Sequence, residues 1–110
     1  MMGQALFSYD IPVMKTSSAL TCLTKDQVAA NAETACIRCG RCVDVCPGRV
    51  VPQMLMTAAE HHDLAAFEKL NGMECCECGS CTFICPAHRP LTQAFKEMRK
   101  AVMAERKKKA

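Results

Sequence analysis

The clearest hydrophobic pattern in the chain follows Pro90. Apolar residues recur there with the period of an amphipathic helix, at Leu91, Ala94, Phe95, Met98, Ala101 and Val102. The pattern predicts a helix of about three to four turns. The chain then becomes strongly basic, and we expect residues 105–110 to form a frayed, solvated tail.

The stretch 52–71 is predicted to form two helices. Pro52 suits the first position of a helix, and Asp63, after the polar break of His61 and His62, suits the cap of a second one. Gly72 is expected to end that helix. The apolar stripes of the two helices are predicted at Met54, Leu55, Ala58 and Ala59, and at Leu64, Phe67 and Leu70.

Residues 1–24 show a weaker pattern. Apolar residues alternate with polar ones, at Phe7, Tyr9, Ile11 and Val13. Such alternation is typical of a strand, but Pro12 interrupts it, so we predict an extended arm or the end of a preceding domain. Thr24 and Gln27 fit a capping box and predict a short helix over about 25–32.

The composition indicates a domain that needs more than an apolar core. Half of the 110 residues are hydrophobic, but this count includes ten cysteines, and only one Tyr and four Phe are aromatic. We therefore expect bound metal or disulfides to hold the fold. The net charge of +3 is uneven, because residues 96–110 carry seven basic and two acidic side chains.

The same composition argues against several classes of protein. No apolar run approaches the roughly 18 residues of a membrane-spanning helix, and the first residues lack the pattern of a signal peptide. We therefore expect a reducing compartment, in which cysteines bind metal rather than form disulfides. The sequence shows no glycine-rich nucleotide-binding loop, and the basic end lacks the interleaved aromatic residues that favour nucleic-acid binding.

Two cysteine segments carry the chemistry. They read CIRCGRCVDVCP over 36–47 and CCECGSCTFICP over 75–86. Each contains C-x2-C-x2-C-x3-C-P, and the second repeats the cysteines, the glycine and the proline of the first at a shift of 39 residues. The repeat predicts two similar half-sites related by a pseudo-twofold axis.

This spacing is typical of two [4Fe–4S] clusters. Three thiolates two residues apart wrap one loop around a cubane, whereas the fourth cysteine ligates the partner cluster. We therefore predict that cluster 1 is bound by Cys36, Cys39, Cys42 and Cys85. Cluster 2 is predicted to be bound by Cys75, Cys78, Cys81 and Cys46. Gly40 and Gly79 are expected to let the backbone approach each cluster.

Other interpretations of the metal-binding residues stay open. Structural zinc favours two separated C-x2-C pairs around one tetrahedral site, which these segments fit poorly, and a disulfide scaffold requires export. Cys22 and Cys76 fall outside the ligand pattern, so we interpret them as small buried hydrophobes, with Cys76 as an alternative ligand to Cys75. We interpret His61 and His62 as a solvated helix junction.

Charge distinguishes the two segments. Arg38 and Arg41 lie in the first, and Glu77 and Ser80 occupy the matching positions of the second. Since positive neighbours favour the more negative, reduced state of a cluster, our hypothesis is that the first cluster has the higher reduction potential.

The cysteine segments and their surroundings resemble a known family. The strings ACIRCGRCVDVCP, VPQMLM and CCECGSCTFICPAHRPL are similar to the ferredoxin-like region of the C subunit of the Rnf electron-transport complex, and MMGQALFSYDIPVMK resembles the segment before it. The helices also resemble the ferredoxin modules of succinate dehydrogenase and heterodisulfide reductase. The resemblance implies a mainly α-helical ferredoxin-like domain over 25–104, between an extended arm (1–24) and a basic tail (105–110).

For function, the resemblance implies an electron-transfer relay with no catalytic site of its own. Members of the family carry an upstream domain that binds FMN and NADH, so the resemblance implies a fragment. The relay would serve a membrane-associated complex that passes electrons between NADH and ferredoxin, coupled to ion translocation. Its partners would be the other subunits and a redox partner protein. Through them it would associate peripherally with the cytoplasmic side of the bacterial cell membrane.

Two alternative functions stay open. The chain fits an iron–sulfur subunit of another oxidoreductase, of the glycolate oxidase, succinate dehydrogenase or heterodisulfide reductase type. It also fits, less well, a zinc-stapled interaction module with a basic tail. The content of iron, sulfide and zinc separates the last of these from the others.

Overall fold

The computed structural model describes residue 6 and the ranges 8–25 and 30–110. The chain divides into two units, residues 3–32 and residues 33–110. In the first unit, the exposed side chains of Tyr9, Ile11 and Val13 belong to no strand, so 8–25 is an arm without regular structure apart from a turn. Phe7, Gln27 and half of the helix predicted over about 25–32, namely 26–29, lie outside the described residues.

The second unit is helical. Its elements are α1 (Arg41–Asp44), α2 (Pro52–Glu60), α3 (Leu64–Lys69), a 3₁₀ turn (Gly72–Glu74), α4 (Ser80–Ile84) and α5 (Leu91–Lys109). The described residues contain no strand, which confirms the predicted mainly α-helical fold. None of the described helices is long and apolar enough to cross a membrane.

Helices α2 and α3 form where the sequence predicts them. Pro52 begins α2, and the Asp63 carboxylate caps α3 by accepting the N–H of Ala66 at 2.9 Å. The buried face of α2 differs from the prediction, because Met54 is 47% exposed while Met56 is buried. With Pro52 counted as the start, the stripe runs at i, i+3, i+4 and i+7 and reaches position 56 rather than 54.

The end of α3 also differs from the prediction. The helix stops at Lys69, and Asn71, not Gly72, takes the left-handed conformation, with φ of 57°. Gly72 is buried in the 3₁₀ turn, and a Cβ added there would overlap the ring of Phe67. The glycine is therefore explained by packing.

Replacing Gly72 by Ala should lower the free energy of unfolding by about 1–3 kcal/mol, because the fully buried Phe67 ring has no room to move. At an unhindered position the same change would raise the free energy of unfolding by about 0.4–1 kcal/mol. The sign of the measured change therefore shows whether the Cβ is hindered. Chemical denaturation measures the difference. In a Phe67→Leu background the Gly72→Ala change should cost less, and an equal cost would show that the ring is not the obstacle.

Helix α5 completes the core. Leu91, Phe95, Met98 and Val102 are buried as predicted, and the Phe95 ring lies 6.3 Å from that of Phe67 in α3. The helix continues to Lys109, so the predicted basic tail is helical up to its last residue, with exposed side chains. An ion pair from Arg106 to Glu68 of α3, at 2.7 Å, attaches this end of α5 to the core.

The core lies in three of the helices. Buried side chains of α2, α3 and α5 form one cluster, whereas α1 buries no residue and α4 buries only Cys81. The cysteine segments contribute Cys81 to this cluster, and Cys42, Cys46 and Cys75 pack against it.

Candidate metal centres

The 39-residue repeat is present in the backbone as well as in the sequence. Three pairs of residues 39 positions apart have left-handed φ values that agree within 6°: Arg38 and Glu77 (54° and 57°), Gly40 and Gly79 (76° and 82°), Arg49 and His88 (51° and 52°). Four of these six residues are not glycine, and only His88 among them belongs to a residue type that is enriched in this conformation. The repeated unit therefore extends beyond the cysteines.

Matching hydrogen bonds accompany these angles. The N–H of Arg38 donates to Cys36 Sγ and the N–H of Glu77 donates to Cys75 Sγ, both at 3.4 Å. After each segment the chain turns in the same way, since Arg49 N–H donates to the carbonyl of Cys46 at 3.2 Å. The equivalent bond joins the N–H of His88 to the carbonyl of Cys85 at 3.1 Å.

Glycine at position 40 is explained by its backbone angle. Apart from its own chain neighbours, no protein atom lies within 4 Å of the place where a Cβ would be, so crowding by the protein does not require glycine here. The φ of 76° lets the chain pass from the cysteine loop into α1. Gly79 has the same role before α4.

Each cysteine segment borders a cavity that also receives a cysteine from the other segment. Cavity 1 encloses about 610 Å³, including space open to solvent, and its lining includes Cys36, Cys39, Cys42 and Cys85. Cavity 2 encloses about 330 Å³ and its lining includes Cys46, Cys75, Cys78 and Cys81. These are the two groups of four that the spacing predicts.

The two cavities are equivalent in all of their lining except Val43 of cavity 1. Every residue that lines cavity 2 has a counterpart 39 positions away that lines cavity 1. The pairs outside the cysteine segments include Pro52 and Leu91, Gln53 and Thr92, and Met56 and Phe95. Helices α2 and α5 therefore belong to the repeat, although their side chains differ.

The donors of each cavity fit an iron–sulfur cluster. Cysteine thiolates are the ligands of [4Fe–4S] clusters, and at least four thiols line each cavity. In the described part of the chain, no three His, Cys, Asp or Glu side chains are grouped closely enough to hold a single metal ion. The thiols are thus spread around a space instead of converging on one point.

The protein environment sets the protonation of several thiols. Burial raises the pKa of Cys42, Cys75 and Cys81. The hydroxyl of Ser80, 3.4 Å from Cys78 Sγ, lowers the pKa of Cys78. Since iron binds the thiolate, binding at the buried thiols releases protons.

Hydroxyl groups approach the thiols of cavity 2 from α4 and α5. Thr82 and Thr92 are hydrogen-bonded through their hydroxyls at 2.8 Å, and the Thr92 N–H donates to the Thr82 hydroxyl at 2.9 Å. The Thr92 hydroxyl lies 3.9 Å from Cys81 Sγ. Val43 and Gln53 take the equivalent positions at cavity 1 and provide no hydroxyl.

Two arginines near the cavities were missed by the sequence interpretation. Arg89 lines cavity 1 and forms ion pairs with Glu60 and, at 3.2 Å, with Glu33. Its hydrogen bond to Glu60 raises the pKa of Arg89. Arg99 of α5 forms an ion pair with Glu77, which lines cavity 2. An isolated arginine has no motif, so only the fold identifies these two.

The residues outside the ligand pattern are placed differently from one another. Cys22 and Cys76 are exposed, so their interpretation as buried hydrophobes is wrong. Cys76 lines cavity 2 as a fifth thiol, and its counterpart at cavity 1 is Ile37. His61 and His62 are exposed between α2 and α3, which agrees with a solvated junction.

Comparison with known proteins identifies the family. The 4Fe-4S dicluster domain family matches residues 28–86. The C subunit of the Na(+)-translocating ferredoxin:NAD(+) oxidoreductase complex of Acetobacterium woodii is 40% identical over 108 residues, which cover 98% of this chain and 24% of that protein.

Two further relatives match shorter stretches. The C subunit of the proton-translocating ferredoxin:NAD(+) oxidoreductase complex of Clostridium ljungdahlii is 51% identical over 55 residues, which cover 50% of this chain and 12% of that protein. The C subunit of the ion-translocating oxidoreductase complex of Yersinia enterocolitica is 38% identical over 68 residues, covering 59% of this chain and 10% of that protein.

The chain thus spans about a quarter or less of the length of these relatives. The match to the domain family covers more than half of the chain, and the Acetobacterium relative aligns with nearly all of it. These findings confirm the resemblance carried by the cysteine segments. The chain belongs to the 4Fe-4S dicluster domain family and is an iron–sulfur electron-transfer domain homologous to the C subunit of the Rnf complex.

Proposed function

We propose that this chain relays electrons through two [4Fe–4S] clusters, one at each cavity. The observation that carries the proposal is the pair of equivalent cavities, each lined by at least four cysteines contributed by both segments. A bound cluster supplies one-electron redox chemistry, and two neighbouring sites make a path for electrons.

The proposed ligands are crossed between the segments. Cys36, Cys39, Cys42 and Cys85 would hold the cluster of cavity 1, and Cys75, Cys78, Cys81 and Cys46 that of cavity 2. The N–H groups of Arg38 and Glu77, which already donate to cysteine sulfur, would help to balance the negative charge of the thiolates. The buried α2 and α5 side chains Met56 and Phe95 would shield the inner side of each site from water.

We further propose that the relay serves a membrane complex that couples electron transfer between NADH and ferredoxin to ion translocation. The names of the relatives in Acetobacterium and Clostridium support this assignment. FMN and NADH would bind to a separate domain or subunit. The partners would be the other subunits and a redox partner protein, and membrane association at the cytoplasmic side would be peripheral.

Metal analysis of the protein purified without oxygen tests the relay. We expect about eight irons and eight sulfides per chain, since each [4Fe–4S] cluster contributes four of each. After reduction with dithionite, electron paramagnetic resonance should show two interacting clusters. Zinc without sulfide, in protein from iron-replete cells, would contradict the proposal and favour a structural zinc module.

A further inference from the structure

The two cavities share one backbone plan but differ in charge. Resting on the proposed two-cluster function, we propose that the chain gives the cluster at cavity 1 the higher reduction potential. Electrons that arrive at cavity 2 then pass to cavity 1 and leave from there. The residues responsible are Arg38 and Arg89 at cavity 1 and Glu77 at cavity 2.

The charges that line the cavities have opposite signs. Arg38 and Glu77 occupy equivalent positions with nearly identical backbone angles, so they approach the two cavities in the same way. Arg89 adds a second cation to cavity 1, where its counterpart at cavity 2 is the uncharged Val50. Because reduction adds an electron, the cations favour the reduced state at cavity 1 and the carboxylate disfavours it at cavity 2.

Two of the lining charges, Arg89 and Glu77, each have a counter-charge in the fold. Glu60 and Arg99 are themselves equivalent, 39 residues apart, and they pair with Arg89 and Glu77 respectively. Neither of them lines a cavity. Glu33 and Glu60 are about half exposed, whereas Arg89 is only 14% exposed, so water screens the two carboxylates more than the guanidinium. At cavity 2 the two partners are alike in exposure, 24% for Arg99 and 27% for Glu77, and the charge of Arg99 also reaches the Cys75 thiol. The difference between the cavities therefore rests mainly on the two cations of cavity 1.

Exposure to solvent acts in the same direction. Cys36 and Cys39 of cavity 1 are exposed, whereas the four predicted ligands at cavity 2 are half-buried or, for Cys81, buried. Water stabilises the additional negative charge of a reduced cluster, and burial removes that stabilisation.

The hydroxyl groups at cavity 2 should raise the reduction potential there, but by less than the charges and the exposure lower it relative to cavity 1. Ser80 lies 3.4 Å from Cys78 Sγ, and Thr92 lies 3.9 Å from Cys81 Sγ, so both favour the reduced state there. Thr92 is already engaged with Thr82, and a neutral hydroxyl carries only part of a unit charge. The backbone N–H bonds to Cys36 and Cys75 are equal in length and cancel.

A redox titration followed by electron paramagnetic resonance tests the proposal on the full chain with both clusters loaded. Arg38→Gln should move only the higher midpoint, and move it to a lower potential. Glu77→Gln should move only the lower midpoint, upward. Each change should alter the reduced-to-oxidised ratio of one cluster roughly threefold to tenfold at fixed potential, about 28 to 59 mV for a one-electron couple. Lys107→Gln removes one charge far from both cavities and is the matched control.

The outcomes are distinct. Two coincident midpoints, a shift of the lower midpoint in Arg38→Gln, or shifts no larger than in Lys107→Gln would each overturn the assignment. Glu77→Gln also removes the ion pair with Arg99. Arg38 is exposed and lies outside the core, so we expect Arg38→Gln to fold normally and to supply the test by itself. Iron and sulfide are counted first in every sample. A protein without about eight irons and eight sulfides would contradict the proposed function. A fully loaded protein in which cavity 2 has the higher reduction potential would contradict only this inference.

Discussion

Removal of iron and sulfide should abolish the cooperative thermal unfolding of this protein. The cysteine segments depend on their ligands, since α1 buries no residue and residues 34–41 are all exposed. Among the described contacts, the segment before the first cysteines is attached by the ion pair of the half-exposed Glu33 with Arg89 and by the N–H and hydroxyl of Thr34, which donate to the carbonyl of Ala87 at 3.0 and 3.4 Å. Two such hydrogen bonds contribute only about 1 kcal/mol each.

The size of the effect follows from the usual scale of domain stability. Small domains are stable by about 5–15 kcal/mol, and structural metal sites in small domains supply about 10 kcal/mol or more. The aliphatic and aromatic core of α2, α3 and α5 is small, with only two aromatic rings, Phe67 and Phe95, in its centre. The stabilising free energy that is lost with the clusters should therefore exceed the stability that this core provides.

Anaerobic chelation followed by far-ultraviolet circular dichroism during heating measures this effect. The untreated protein, heated under the same anaerobic conditions, is the control, and reconstitution with iron and sulfide should restore its transition. A sharp transition in the apoprotein at a similar temperature would show that the helices fold without metal.

The second large effect concerns the crossed ligands. Cys85→Ala should remove one cluster and leave about four irons per chain. Because Cys85 lies at cavity 1, the lost cluster should be the one that also uses Cys36. The double variant Cys36→Ala/Cys85→Ala should therefore still hold about four irons. Cys78→Ala/Cys85→Ala, with one substitution at each cavity, should hold none.

Iron and sulfide analysis of these variants separates crossed from uncrossed ligation. If Cys85 served the cluster of its own segment, the two double variants would exchange their results. Cys22→Ala, which removes an exposed thiol that lines neither cavity, should keep about eight irons and is the control. Cavity 1 suits this test better than cavity 2, where the fifth thiol, Cys76, is available to replace a lost ligand.

Sequence reasoning works here where a local pattern has one physical meaning. The stripe after Pro90, the Asp63 cap and the spacing of the cysteines each lead to the element or grouping that the structure shows. The failures occur where two signals compete. Met54 and Met56 are alike in type, and only the start of α2 at Pro52 decides which is buried. Gly72 resembles a helix stop, but Asn71 can also adopt the left-handed angle and does so.

The rest of the candidate sites depends on contacts between distant positions. The equivalence of α2 and α5 is hidden because Pro52, Gln53 and Met56 share no residue type with their counterparts. Arg89 and Arg99 acquire their roles from Glu60 and Glu77, with which they share no sequence motif. Left-handed angles at Arg38 and Glu77 likewise carry no signature, since neither residue favours them.

Because each cavity takes cysteines from both segments, the order of protein synthesis also sets the order in which the two cavities become complete. The ribosome releases the first segment 39 residues ahead of the second, and at about 5–20 residues per second this interval is roughly two to eight seconds. During that time Cys36, Cys39 and Cys42 have emerged without Cys85, the fourth cysteine of their cavity. Cavity 2 receives its last cysteine at position 81, four residues before cavity 1 does. With the proposed crossed ligands, both clusters would be inserted only after translation of the second segment, and cavity 1, whose loop comes first in the chain, would be completed last.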